Sequence, residues 1–201
     1  NGKRTSPLRK ARRRTVTGYA FTGSFCTHSR SSEIFRELKN TGLDLVPVVS
    51  ETVYTTDTRF GKAERLIETL ENISGRKCVH TIEEAEKFGP AMPLEALIIA
   101  PCTGNTLAKL AHGITDTAVT MCAKAHLRCD RPLLLALASN DAMSANLGNI
   151  GTLLNRKNIY FVPLCQDDPE KKPHSLVADF SKLYMSYNEM LAGRQCRPLF
   201  L

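Results

Sequence analysis

The strongest signal along the chain is a set of short, mainly apolar runs that do not alternate with polar residues. They fall at Thr15–Phe21, Leu43–Val49, Leu94–Ala100 and Leu133–Ala138. Such runs predict strands covered on both faces. Asn158–Pro163 reads as a fifth and last strand. Between them the apolar spacing changes to that of helices. Ile34, Phe35 and Leu38 share one face of a helix over Ser29–Asn40, closed by Gly42. Leu66, Ile67 and Leu70 do the same over Lys62–Ile73, ended by Gly75. A short helix over Thr81–Phe88 opens on a Thr cap. Further helices are predicted over Thr103–His112, Asp116–Arg128, Ala142–Asn155 and Ser175–Ala192, and Ser50–Gly61 reads as a long polar loop.

Strands and helices thus alternate five times. That order predicts an α/β fold with three layers: a parallel, Rossmann-like sheet with helices on both faces. There is no internal repeat and no linker, so residues 15–201 form one domain. Ligands of such folds bind beyond the carboxyl ends of the strands. The loops of interest are therefore Thr22–His28, Ser50–Gly61, Pro101–Thr106, Ser139–Met143 and Leu164–Pro173.

Charge narrows the choice of partner. The net charge is +7, but residues 1–14 hold seven Lys and Arg and no acid. The rest of the chain balances, with 20 basic and 20 acidic residues. The basicity belongs to an arm, residues 1–14, that need not be part of the fold, so nucleic-acid binding by the domain is not expected. Apolar residues are 42% and charged residues 23%, which excludes a disordered or fibrous chain. No apolar run approaches the ~20 residues of a membrane helix. No secretory signal follows the basic start, and a cytoplasmic protein is expected. The seven cysteines show no CxxC spacing, so neither a zinc site nor a disulfide framework is predicted.

Two loops carry candidate chemistry. Thr22, Gly23 and Ser24 follow the first strand. Small and hydroxyl residues there leave N–H groups free for an anion, although a tight turn without ligand explains them equally well. The dinucleotide pattern GxGxxG is missing, as is the Walker pattern. Pro101, Cys102, Thr103, Gly104, Asn105 and Thr106 follow the third strand. Small residues there form a shelf for a flat ligand, and the Asn105 amide both donates and accepts. The alternative is a capped helix start, with Thr103 or Asn105 as the N-cap.

The stretch APCTGNTLAKLAHGITD, 100 to 116, resembles the PASANT motif of the homo-oligomeric flavin-containing cysteine decarboxylase family. Ala138, Ser139, Asn140, Asp141, Ala142 and Met143 resemble its PxMNxxM motif, and Thr22–Ser24 sits where its phosphate loop sits. A further set of pieces is similar to the B subunits of dipicolinate synthases from spore-forming bacteria. These are TGSFCT (22–27), TRFG (58–61), FGPAMPLEALIIAPCTGNT (88–106), SNDAM (139–143), NIYFVP (158–163) and QDDPEKKPHSLVAD (166–179).

The resemblance implies a flavoprotein-like domain that binds FMN through Thr22, Gly23, Ser24, Ser50, Pro101, Cys102, Thr103, Gly104, Asn105, Thr106, Ser139 and Asn140. Ser50 takes the place of a second phosphate-side hydroxyl. It implies a homo-oligomer and a partner, the A subunit of dipicolinate synthase, which would carry NAD(P). It implies oxidation of a cyclic lysine-pathway precursor to dipicolinate, a small dicarboxylate, in the mother cell during sporulation. A non-catalytic FMN- or phosphate-binding protein and a flavin-dependent decarboxylase are the alternatives. The family's decarboxylases carry a His just before the strand leading to PASANT. That place falls here within Phe88, Gly89 and Pro90, and no His lies between 81 and 111, which argues against decarboxylation. Lys171 and Lys172 are candidates for meeting substrate carboxylates. His28 and His174 lie beside the loops and are expected to be structural or solvated.

Overall fold

The structure, a computed structural model, describes residues 15–201. The basic arm 1–14 lies outside the described residues. Strands β1 (Val16–Phe21), β2 (Asp44–Val49), β3 (Ala96–Thr103) and β4 (Leu133–Ser139) form a parallel core in the order β2-β1-β3-β4. Nearly every residue of β3 and β4 is buried, whichever face it points to. Helices therefore cover both faces. They fall into two packing groups, one of α1 (His28–Asn40), α2 (Glu51–Thr55), α3 (Ala63–Ser74) and α8 (Leu183–Leu191). The other holds α4 (Ile82–Glu86), α5 (Gly104–His112), α6 (Ala118–Leu127) and α7 (Leu147–Leu154). No helix among the described residues is long and apolar enough to cross a membrane.

Beyond β4 the sheet forks. The first half of β4 pairs in parallel with β5 (Ile159–Phe161). Its end pairs antiparallel with β7 (Leu176–Ala178), which pairs antiparallel with β6 (Leu164–Cys165). The margins of the sheet are finished by isolated contacts. Val79 donates to Pro47 O and accepts from Val49 N at the outer side of β2. The Gln195 side chain accepts from Phe161 N and donates to Phe161 O at β5. Leu199 and Leu201 bond the backbone of Leu164 in β6.

Four expectations are corrected. The loop 50–61 contains α2, a single turn opened by Ser50, whose hydroxyl accepts from Val53 N at 3.3 Å. Strand β3 does not stop at Pro101 but runs to Thr103, because a register shift between Ile99 and Cys102 accommodates the proline. The helix expected from Ala142 starts only at Leu147, since Ser144 and Asn146 bond back to Asp141 in turns first. Asn158–Pro163 is not the last strand, and Leu176–Ala178, expected to be helical, is β7.

Candidate functional site

The carboxyl ends of β1, β2, β3 and β4 lie side by side, so the loops named from sequence converge there, each positioned by its strand. Thr22 ends β1 and is buried. Its hydroxyl donates to Pro101 O at 2.7 Å and accepts from Thr103 N at 2.9 Å. The side chain read as a phosphate ligand is thus a staple between the ends of β1 and β3. The Thr22 carbonyl bonds His28 Nε2 at 2.8 Å. His28 packs against Phe21 and Phe25, and burial pushes its pKa down. Its bond to the Thr22 carbonyl holds the turn in shape.

The turn itself is open. Gly23 N–H donates to no backbone carbonyl among the described residues, and Ser24 precedes the following 3-10 turn (Phe25–Thr27) with its hydroxyl on the Cys26 sulfur at 3.9 Å rather than on a backbone N–H. Thr27 instead bonds Ser24 O through both its N–H and its hydroxyl. Ser50 enters the same end of the sheet through a bond from its N–H to Phe21 O at 3.1 Å.

The β3–α5 turn resolves the open choice of cap. Thr103 is the N-cap of α5, accepting from Thr106 N at 3.2 Å and donating to Thr106 Oγ1 at 3.0 Å. Asn105 is exposed, and its amide has no partner among the described residues. Cys102 is fully buried, and burial drives its pKa far up, so it acts as an apolar residue. The Pro101 carbonyl accepts from the Thr22 hydroxyl.

Across from this turn, β4 ends in Ser139, and Asn140 is exposed with its amide likewise unpaired among the described residues. Asp141 is a residue that composition alone did not single out as a site. It accepts a short hydrogen bond from Ser139 Oγ and two from Asn146 Nδ2, each at 3.0 Å. These donors hold its carboxyl below the usual carboxylate range. A Cβ on Gly104 would sit 2.7 Å from Asn146 Nδ2 and 2.9 Å from Asp141 Oδ1, and would also strike Ser139 Oγ. The signal for this cluster was the glycine at a helix start facing a motif rich in Ser, Asn and Asp.

The remaining predictions separate. Lys172 pairs with Asp167 at 2.7 Å and Lys171 lies 4.0 Å from Asp168, so both cations are engaged by their own loop. His174 is exposed, and its carbonyl accepts from Met143 N at 2.9 Å, tying that loop to the end of β4. Phe88 lines a cavity of about 640 Å³ at the amino ends of β1 and β3, with Val16, Leu94 and Arg131. The place assigned to the family's His is therefore at the opposite end of β3 from the loops of this chain.

Comparison with known proteins fits this arrangement. The family model "Flavoprotein" matches residues 5–185. The chain is 40% identical over 184 residues to the B subunit of dipicolinate synthase from Bacillus subtilis, covering 92% of each. The crystal structure of the corresponding B subunit from Bacillus halodurans superposes with a TM-score of 0.86 at 39% identity, over 93% of this chain and 96% of that one. An FMN-dependent cysteine decarboxylase superposes with a TM-score of 0.66 at 21% identity, over 89% and 97%, and shares the fold.

Proposed function

The chain belongs to the Flavoprotein family, and from that premise we propose that it works as the B subunit of a dipicolinate synthase, presenting an FMN site at the carboxyl end of its sheet. The observation that carries the reading is similarity to such B subunits along almost the full length of both chains. It makes the A subunit of the synthase the expected companion, with NAD(P) bound there. A homo-oligomer is expected too, since one relative of the same fold is a dodecamer.

The residues present suit a mononucleotide flavin. Gly23 N–H is left for one phosphate, the Ser24 hydroxyl beside it makes only a weak contact with the Cys26 sulfur at 3.9 Å, and the turn has no second glycine to admit a pyrophosphate. Asn105 and Asn140 offer unpaired amides on facing loops, where a ring or ribityl chain needs donors and acceptors. Thr22, Pro101 and Thr103 hold the floor between them rigid. A bound flavin supplies hydride acceptance, and the protein supplies binding and orientation. Cys102 is deeply buried, and His28 is tied to the Thr22 carbonyl. Orientation is the chain's contribution.

The test is to purify the chain alone and with its A partner, titrate FMN and NAD, and follow dipicolinate formation. FMN binding tighter than NAD, and product formed faster with both chains than with the A partner alone, are the expected results. Tighter NAD binding by this chain overturns the cofactor assignment. An A partner that gains nothing from this chain overturns its assignment to the synthase.

A further inference from the structure

Behind the residues assigned to the cofactor, and sharing Ser139 and Gly104 with them, lies a polar cluster whose centre the flavin reading does not require. Asp141 is its centre, bonded by Ser139 Oγ and by both available contacts of Asn146 Nδ2. Asn146 is buried, and its carbonyl oxygen accepts from Asn149 Nδ2 at 3.0 Å, anchoring the cluster to the start of α7. The Asp141 carbonyl also accepts from Ser144 N and Asn146 N, both at 3.1 Å, so the backbone of the turn is fixed as well.

This cluster touches both halves of the site. Ser139 belongs to β4, and Asn140 projects from between two members of the cluster. On the other side it closes over the α-carbon of Gly104, the residue before Asn105, with no room for a methyl group. Two of the blocking atoms, Ser139 Oγ and Asn146 Nδ2, are each hydrogen-bonded to the third, Asp141 Oδ1, so none can move aside without breaking a bond. At the strand level the halves are already in register, Thr103 opposite Ala138. The carboxylate also lies at the start of the nine-residue α5, where a negative charge complements the helix dipole.

We propose that Asp141 is a positioning residue, which through Ser139, Asn146 and the bare α-carbon of Gly104 sets the distance between the two loops that carry Asn105 and Asn140. It touches no cofactor itself. It locks both amides in place before a ligand arrives, which removes an ordering cost from binding. The proposal rests on the flavin reading for its functional readout, but not for its structural one.

The decisive variants are Asp141→Asn and the swap Asp141→Asn with Asn146→Asp. In the single variant two amide groups face each other as donors, and the network loses its match. In the swap the amide at 141 donates to the carboxylate at 146, the partners of Ser139 Oγ and Asn149 Nδ2 are kept, and one of the two bonds between 141 and 146 is regained, with the charge moved five residues along. Asp141→Asn is expected to weaken FMN binding by about 10-fold, the size of one unsatisfied buried polar group. It is also expected to speed amide exchange at 104–106 and 140–146 while leaving β1 and β2 protected. The swap is expected to recover most of both. Unchanged FMN affinity in Asp141→Asn overturns the proposal, and so does a swap that stays as impaired as the single variant. If the unmodified chain does not bind FMN, the flavin reading fails on its own. Amide exchange then decides this proposal: a local rise confined to the two loops upholds it, and no rise overturns it. Gly104→Ala serves as the control from the other side and is expected to reproduce the exchange pattern of Asp141→Asn.

Discussion

Replacing Thr22 by Val removes one hydroxyl and changes little else in shape. That hydroxyl makes two of the bonds that join the ends of β1 and β3, to Pro101 O at 2.7 Å and from Thr103 N at 2.9 Å. Pro101 O keeps a longer bond from Thr22 N at 3.3 Å, so it is only partly orphaned. Thr103 N loses its acceptor. Two lost bonds with one unsatisfied donor cost about 2–3 kcal/mol. For a chain of this length each kcal/mol lowers Tm by about 2–4 °C, so the expected fall is about 4–12 °C. Thr22→Ser keeps the hydroxyl and should recover most of it. The measurement is thermal unfolding of the three proteins, followed by FMN titration below the melting range. A Val variant that melts with the parent but binds FMN weakly would show that the hydroxyl serves the ligand and not the floor, and would refute the staple.

Two further outcomes follow from the geometry. Thr103→Ala should destabilise the fold by about 0.5–2 kcal/mol because it removes the α5 cap, whereas Asn105→Leu should leave Tm unchanged and lower FMN affinity about 5- to 150-fold, as thermal melts and titrations of both will show. His126 is fully buried, bonded through Nε2 to Pro132 O at 2.8 Å, and burial lowers its pKa to about 4 from 6.5. A folded pKa below the unfolded one means stability is complete above pH 6.5 and is lost as pH falls toward 4; the loss is about 3 kcal/mol, and urea unfolding should show it in the parent and much less in His126→Gln.

The parts of this fold that could be read from sequence are those in which burial dominates. Leu94–Ala100 and Leu133–Ala138 have almost no polar residue to expose on either face, so a sandwiched strand suits them best. What escaped was decided by single side chains or distant partners. One turn of α2 is too short to show a helical period and exists because Ser50 caps it. β7 is three residues long, and its partner Cys165 lies across a loop, so Leu176 and Val177 read as the start of a helix. The delayed start of α7 comes from Asp141, Ser144 and Asn146 offering local bonds that compete with helix. In the candidate site, sequence named loops that the strands do bring together but could not assign their atoms. Thr22 is a hydroxyl in a loop whether it holds a phosphate or a neighbouring strand. Only the position of Pro101 O distinguishes the two.

The finished margins of the sheet bear on how copies of this chain can meet. A parallel sheet with a bare rim is a template for another strand, and the commonest route to unwanted stacking is through that rim. Among the described residues each rim is met by at least one such contact. Pro47 turns its ring nitrogen, which has no hydrogen to give, toward the outer side of β2, where Val79 takes up the neighbouring groups. A glutamine side chain imitates a backbone amide beside β5, and the residues before the carboxyl terminus do so with true backbone at β6. Each such contact withdraws backbone groups from any continuation of the sheet between copies. Helix faces and the loops at the strand ends offer no such backbone template, and contacts made through those loops would fall on the residues that shape the site.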